Sequence, residues 1–160
     1  MPDDKLSAPI EAASVPPRAP LMAFPEPLAS LMAGRERRAL GDAFGLTRFG
    51  VNLTRMKPGS ISAARHSHSL QDEFLYVLEG TPLLITNGGE TLLHPGMCVG
   101  FRAGTDDAHH LVNKTGTDVL YLEVGDRTTG DAVFYPDDDI ALDRTGDGRW
   151  KIVHKDGSSY

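Results

Sequence analysis

One cysteine, Cys98, stands in a chain of 160 residues. An internal disulfide needs two and a multi-cysteine zinc site needs more, so both are excluded. No apolar run approaches the ~18 residues of a membrane-spanning helix. The opening Met1-Pro2-Asp3-Asp4-Lys5 lacks the basic-then-apolar layout of a secretory signal. The expectation is a cytoplasmic protein with no membrane partner. Clustered basic residues are missing too: 16 Lys and Arg face 22 Asp and Glu, a net charge of −6. A nucleic-acid partner is disfavoured, because phosphate backbones are held by clustered Lys and Arg. The remaining classes are a small-molecule enzyme, a ligand-binding module and an interaction domain. With 40% hydrophobic and 24% charged residues the composition is globular, and the length suits one domain with a real core.

Proline is unevenly spread. Seven of eleven fall in the first 30 residues, where they preclude a long helix or a central strand. Residues 1–27 read as an irregular arm that must dock on something, such as a neighbouring subunit. Residues 28–40 read as a short helix, with Pro27 at its start and Gly41 just past its end. From residue 46 the period is that of strands. Thr47, Phe49, Val51 and Leu53 alternate with Arg48, Gly50, Asn52 and Thr54. Further strands are expected at 64–67, 73–78, 83–86, 91–93, 97–101, 109–113 and 119–124, with one more at 149–154 around Trp150. Asn87-Gly88-Gly89 is a hairpin signal, since Asn and Gly tolerate positive φ. Short strands divided by Gly and Pro turns predict an all-β sandwich or barrel. The expected division is an arm and short helix over 1–45, a barrel over 46–125 and a C-terminal extension over 126–160.

Four of the six histidines, His66, His68, His109 and His110, lie in two expected strands. Residues i and i+2 of a strand share a face, so the imidazoles of His66 and His68 project side by side. Glu73 opens the next strand, and an antiparallel return brings its carboxylate back beside them. Imidazole plus carboxylate is a ligand set for one Fe, Mn, Zn, Ni or Co ion. An isolated His-x-His is usually a surface pair; the returning glutamate and the second histidine cluster argue otherwise.

The stretch GSISAARHSHSLQDEFLYVLEG, residues 59–80, resembles the first motif of the cupin superfamily, with His66, His68, Glu73 and Gly80 at its fixed positions. The stretch GMCVGFRAGTDDAHHLVN, residues 96–113, resembles the second, with Arg102 where proline is usual and a longer spacer before the histidine. The resemblance implies a jelly-roll double-stranded β-helix barrel with a metal inside its mouth. It implies His109, four residues before Asn113, as the fourth ligand beside His66, His68 and Glu73, with His110 on the opposite face. The family includes dioxygenases, decarboxylases, sugar-phosphate isomerases, epimerases and non-catalytic binders, and fold alone does not choose among them. Mixed His/carboxylate ligation with open positions suits Fe(II) and oxygen, so a dioxygenase-type oxidation is the first expectation. Isomerisation of a phosphorylated sugar, which calls for an inward arginine, is the second. A metal-dependent metabolite sensor is the third.

Other side chains have plainer expected roles. Arg65 reads as a solvated outer charge, while Arg48 and Arg55, seven apart, lie on opposite faces of a regular strand, so that one either lines the barrel, where it can bind an anionic substrate, or stays at the surface. Tyr76 and Tyr121 read as core, and Cys98 as a buried small hydrophobe. His94 reads as exposed, and His154 has no partner in sequence. Asp106 and Asp107 are candidates to accept from a ligand imidazole, although a loop Asp pair is more often solvated. Asn113 is expected to orient His109 or bound the cavity. A small-molecule ligand and a homodimer complete the expectations.

Overall fold

The computed structural model describes residues 8–20, 22–146 and 149–160; the parts of the expected arm at 1–7 and 21 lie outside them. The inner barrel grows from two facing sheets. Five strands hydrogen-bond in the order β1-β2-β9-β4-β7, where β1 is Arg35–Ala39, β2 Phe49–Met56, β4 Glu73–Glu79, β7 Cys98–Phe101 and β9 Val119–Asp126. Three more run β6-β5-β8, with β5 at Leu83–Thr86, β6 at Gly89–Leu92 and β8 at His110–Val112. Every pairing in these sheets is antiparallel. Alternation puts one apolar set on each inner face. Met56, Leu75, Val77, Val119 and Tyr121 from the larger sheet therefore meet Leu84 and Leu111 from the smaller in one buried cluster.

Asn87-Gly88 forms the two-residue connection of a hairpin, with Thr86 paired to Gly89. Gly80 takes φ +77°, and a Cβ there would sit 2.6 Å from the Asp118 carbonyl oxygen. Only glycine makes that exit from β4 without strain.

The expected helix at 28–40 is corrected. Helix α1 spans only Leu28–Met32, β1 follows at Arg35–Ala39, and a second helical turn, α2, is Leu40–Ala43. Two contacts decide this. A side chain at Gly34 would meet Ser60 Cβ at 2.9 Å, so the chain passes too close for a helix bearing side chains. Beyond it, Arg35–Ala39 finds the open edge of β2 and pairs with it residue by residue, which satisfies backbone groups that a free helix end leaves open. The expected strand at 64–67 shrinks to β3, Ser67–His68, with His66 in an isolated bridge to His109. β3 pairs with β10, Val133–Phe134, and β12, Trp150–Val153, pairs with β11, Ala141–Arg144.

A second apolar cluster joins Leu28 and Met32 of α1 to Ile61, Ala64, Tyr135 and Ile140. It seats both the N-terminal segment and the C-terminal extension against the barrel. Over its described residues the arm docks on its own chain. Arg18 N–H donates to the Arg37 carbonyl at 2.7 Å, Arg38 donates to the carbonyls of Ala13 and Val15, and Val15 is buried. Two side chains expected inside are exposed: Cys98 and Tyr76, both on the outward face of the larger sheet, where they pair. Among the described residues, no helix is long and apolar enough to cross a membrane.

Candidate metal centre

His66, His68 and Glu73 each offer a ligand atom within 4.8 Å of the others. His66 is placed by its bridge to His109, His68 by β3, and Glu73 by the first position of β4. The imidazole Nε2 atoms of His66 and His68 both lie 3.6 Å from Glu73 carboxylate oxygens. His109 Nε2 lies 2.8 Å from Glu73 Oε2. The ring of His66 is 5.1 Å from those of both His68 and His109. His66, His68 and Glu73 thus form one candidate ligand group, and the buried His109 lies against its carboxylate.

The other ring nitrogens settle how these imidazoles are aimed. His66 Nδ1 is 2.8 Å from the Ala64 carbonyl oxygen. A carbonyl only accepts, so Nδ1 donates to it and Nε2 is left facing Glu73. His68 Nδ1 is 2.6 Å from Asp131 Oδ2. Asp131 is held in turn by the backbone N–H groups of Leu70 and Gln71. The His109 ring stacks on Phe101, 3.4 Å between centroids and 2° from parallel. A ring fixed by an outer acceptor, with Nε2 facing a carboxylate, is how proteins orient imidazoles toward a cation.

The electrostatics agree. Burial alone would raise the Glu73 carboxyl, but hydrogen bonds from His109, His66 and His68 hold it well below the usual carboxylate range. Burial alone would lower His68, but its hydrogen bonds to Glu73 and Asp131 prevail and lift it to about 9. The pocket thus demands positive charge at its centre, which a proton supplies in the metal-free chain. The ligand set fits a first-row divalent ion.

These side chains open into a cavity of about 740 Å³. Its lining also includes Arg35, Arg37, Tyr121, Glu123 and Tyr135, and the arm residues Arg18, Met22 and Phe24. The inward direction of the arginines follows from register, since residues directly opposite in an antiparallel pair share a face. Arg37 pairs with Thr54, Thr54 with Tyr121, and Tyr121 with Val77; the last three are completely buried. Val77 is four residues from Glu73 on β4, so Arg37 and Glu73 share the inner face.

Several expectations need correction. Neither Asp106 nor Asp107 accepts from a ligand imidazole through its side chain; Asp107 offers His109 only a carbonyl oxygen at 3.5 Å, and Asp131 fills the role at His68. Asn113 is completely buried, but its amide donates to the carbonyls of Met56 and Thr117 and ties down a loop. Arg55 pairs with Asp118 at 3.3 Å where both are substantially exposed. Arg65 makes a two-pronged bond to Asp137, at 2.6 and 2.8 Å. His94 is exposed, as expected. His154 has a partner after all, Asp139 at 2.8 Å. His110 donates from Nδ1 to the Ala63 carbonyl at 2.9 Å and also borders the cavity.

Sequence reasoning missed Asp131, Arg35, Arg37 and Glu123. Asp131 lies 63 residues from His68, with no local signal. Arg35 and Arg37 stood at strand spacing, but inside a segment read as helix. Glu123 could have been found by parity, two residues beyond the buried Tyr121.

A family model described as a cupin domain matches residues 52–125. No curated protein matches the chain. Among solved structures, a sugar phosphate isomerase from a cupin superfamily of Silicibacter pomeroyi shares 36% identity with a TM-score of 0.83, covering 96% of both chains. A candidate sugar phosphate isomerase from Acidithiobacillus ferrooxidans shares 33% identity over 75% of this chain and 76% of its own, with a TM-score of 0.67. The polyketide cyclase RemF from Streptomyces resistomycificus, 21% identical over 74% of this chain and 78% of its own, with a TM-score of 0.59, shows the same fold. With more than a third of its residues shared along almost the whole length of one such structure, and both motifs folded onto one inward cluster, the chain belongs to the cupin superfamily.

Proposed function

We propose that this protein is a metal-dependent isomerase of a phosphorylated sugar, with one divalent ion held by His66, His68, Glu73 and His109. The observation that carries the reading is the inward His/Glu group opening into a cavity of about 740 Å³, within the size range of small-molecule sites. The two relatives above 30% identity support the reaction class by likeness. When bound, the ion would supply Lewis acidity toward a sugar carbonyl or hydroxyl. The chain's own contribution is placement. Ala64 and Asp131 hold two imidazoles by Nδ1, Phe101 fixes the plane of His109, and Met22, Phe24 and Tyr135 add apolar lining. Oxidation with Fe(II) and oxygen, the first expectation from ligand type, gains no support from these relatives.

The test is to reconstitute metal-free protein with Fe(II), Mn, Zn, Ni or Co and follow aldose–ketose interconversion of sugar phosphates by NMR, alongside oxygen uptake. Interconversion with a redox-inert ion such as zinc and no oxygen consumption supports the proposal. Oxygen consumption strictly requiring Fe(II) restores the dioxygenase. Saturable binding with no turnover under any metal points to a sensor.

A homodimer belongs to the same reading. It is supported by the outward face of the larger sheet, where alternate β4 residues Phe74, Tyr76 and Leu78 are exposed. A single-chain mass by light scattering would sink it.

A further inference from the structure

We propose that Arg35 and Arg37 form the anion subsite of the cavity and that its ligand is a phosphate monoester. The choice of phosphate rests on the isomerase reading above; the subsite itself rests on the geometry of β1.

Two charged side chains at i and i+2 of an edge strand normally alternate with outward residues and reach water. Here the alternation runs the other way. Arg35 lies opposite Met56 and Arg37 opposite Thr54; both partners are completely buried. The pair is thus aimed into the barrel, on the face that carries Glu73. Putting two guanidinium groups inside a protein is costly unless something pairs with them. Arg35 has the Ser62 carbonyl. Arg37 has Glu123 at 3.3 Å, but its Nε is buried with no hydrogen-bond partner. One carboxylate therefore serves two cations, and at least one N–H is left unused. Burial and the neighbouring charge of Arg37 both lower the Arg35 guanidinium from its ordinary value, whereas Glu123 raises that of Arg37, so the shortfall of counter-charge falls on Arg35. Arg18 of the arm lines the same cavity, but it is already paired with Asp42 at 3.5 Å.

The charges make this end a match for a dianion. Arg35 and Arg37 against Glu123 leave one net positive charge, with Arg18 answered by Asp42. Planar guanidinium groups meet phosphate oxygens through paired N–H donors. A phosphate held here would leave the remainder of its ligand lying along the inner face toward Glu73. A singly charged carboxylate would leave more of the positive charge unanswered, so phosphate esters should be preferred over sugar acids of similar size.

The experiment is calorimetric titration of the metal-loaded full chain with a hexose phosphate, the same hexose, the corresponding uronate and inorganic phosphate. The phosphate ester is expected to bind at least tenfold more tightly than the hexose and the uronate. Arg35→Gln and Arg37→Gln should each reduce that preference about tenfold while metal content stays unchanged. Glu123→Gln removes the competing carboxylate and should tighten inorganic phosphate several-fold. Equal affinity for the phosphate ester and the free hexose would overturn the proposal, as would a preference that survives both arginine variants. If an arginine variant does not fold, Glu123→Gln decides, and no tightening there counts against the subsite. A preference for the uronate would reassign the subsite to carboxylates. The two readings fail separately. Phosphate binding that is lost in the arginine variants, with no interconversion, removes the isomerase and keeps the subsite. Interconversion indifferent to both arginines does the reverse.

Discussion

The two ends of the cavity are built by different means. At the histidine end every side chain is short, mostly buried and fixed from behind: His66 by a carbonyl, His68 by Asp131, His109 by the face of Phe101. At the arginine end the side chains are long, and the Arg37–Glu123 pair is loose at 3.3 Å. An ion tolerates little error in ligand position, so its ligands are held rigidly. A flexible organic anion can be met by groups that adjust, at the expense of rotamer entropy when they settle. The contrast suits a permanent occupant at one end and an exchanging one at the other.

The hardest blow to this comparison is at His66. His66→Ala should abolish stoichiometric metal, a loss of affinity greater than about 100-fold, since a ligand matters more than its outer partner, which alone is worth about 10–100-fold. Full metal content in that variant, by elemental analysis, would place the ion elsewhere. Asp131→Asn tests whether the rigid end owes its rigidity to a residue outside both motifs. It should weaken metal binding by about 10–100-fold in a chain that still folds, measured by competition with a chelator. An unchanged affinity would make Asp131 a loop anchor only.

A third test uses protons in place of metal. His68 is raised from 6.5 to about 9 in the metal-free chain. A raised histidine contributes stability that is complete below its unfolded value and is lost as pH climbs through the folded one. The melting temperature of metal-free protein should therefore fall between pH 6.5 and about 9. The carboxyl groups of Glu73 and Asp131 are held low, so their contribution is lost instead on acidification, below the ordinary carboxylate range. Bound metal takes the place of the proton and should flatten the alkaline limb. A metal-free chain with no such limb would show that the cluster does not hold a proton. The smallest effect is expected at the surface. Asp137→Asn removes the Arg65 pair, in which Asp137 is 55% exposed, and should cost no more than about 1 kcal/mol without changing metal content.

Local pattern carried a great deal here. The spacing His66-x-His68 and the return to Glu73 depend only on strand period, and the hairpin after Thr86 on a local Asn-Gly-Gly run in which Gly89 takes the positive φ. Alternation from residue 47 onward sufficed for an all-β sandwich or barrel, and the motifs pointed to the family that the solved relatives show. These features are set by neighbours a few residues away, so a linear reading finds them. The tertiary structure decided what no window contains. Residues 35–39 have helical neighbours on both sides, yet become strand because β2 offers an open edge. Cys98 and Tyr76 pair across β4 and β7 on the outer face, and only the orientation of the sheet decides which face is outer. Asp131 reaches His68 because β3 and β10 pair. The guanidinium end exists only because the edge strand turns Arg35 and Arg37 inward. Each of these outcomes comes from long-range pairing, whose gain in backbone hydrogen bonds and buried apolar surface outweighs the modest local preferences of the residues involved.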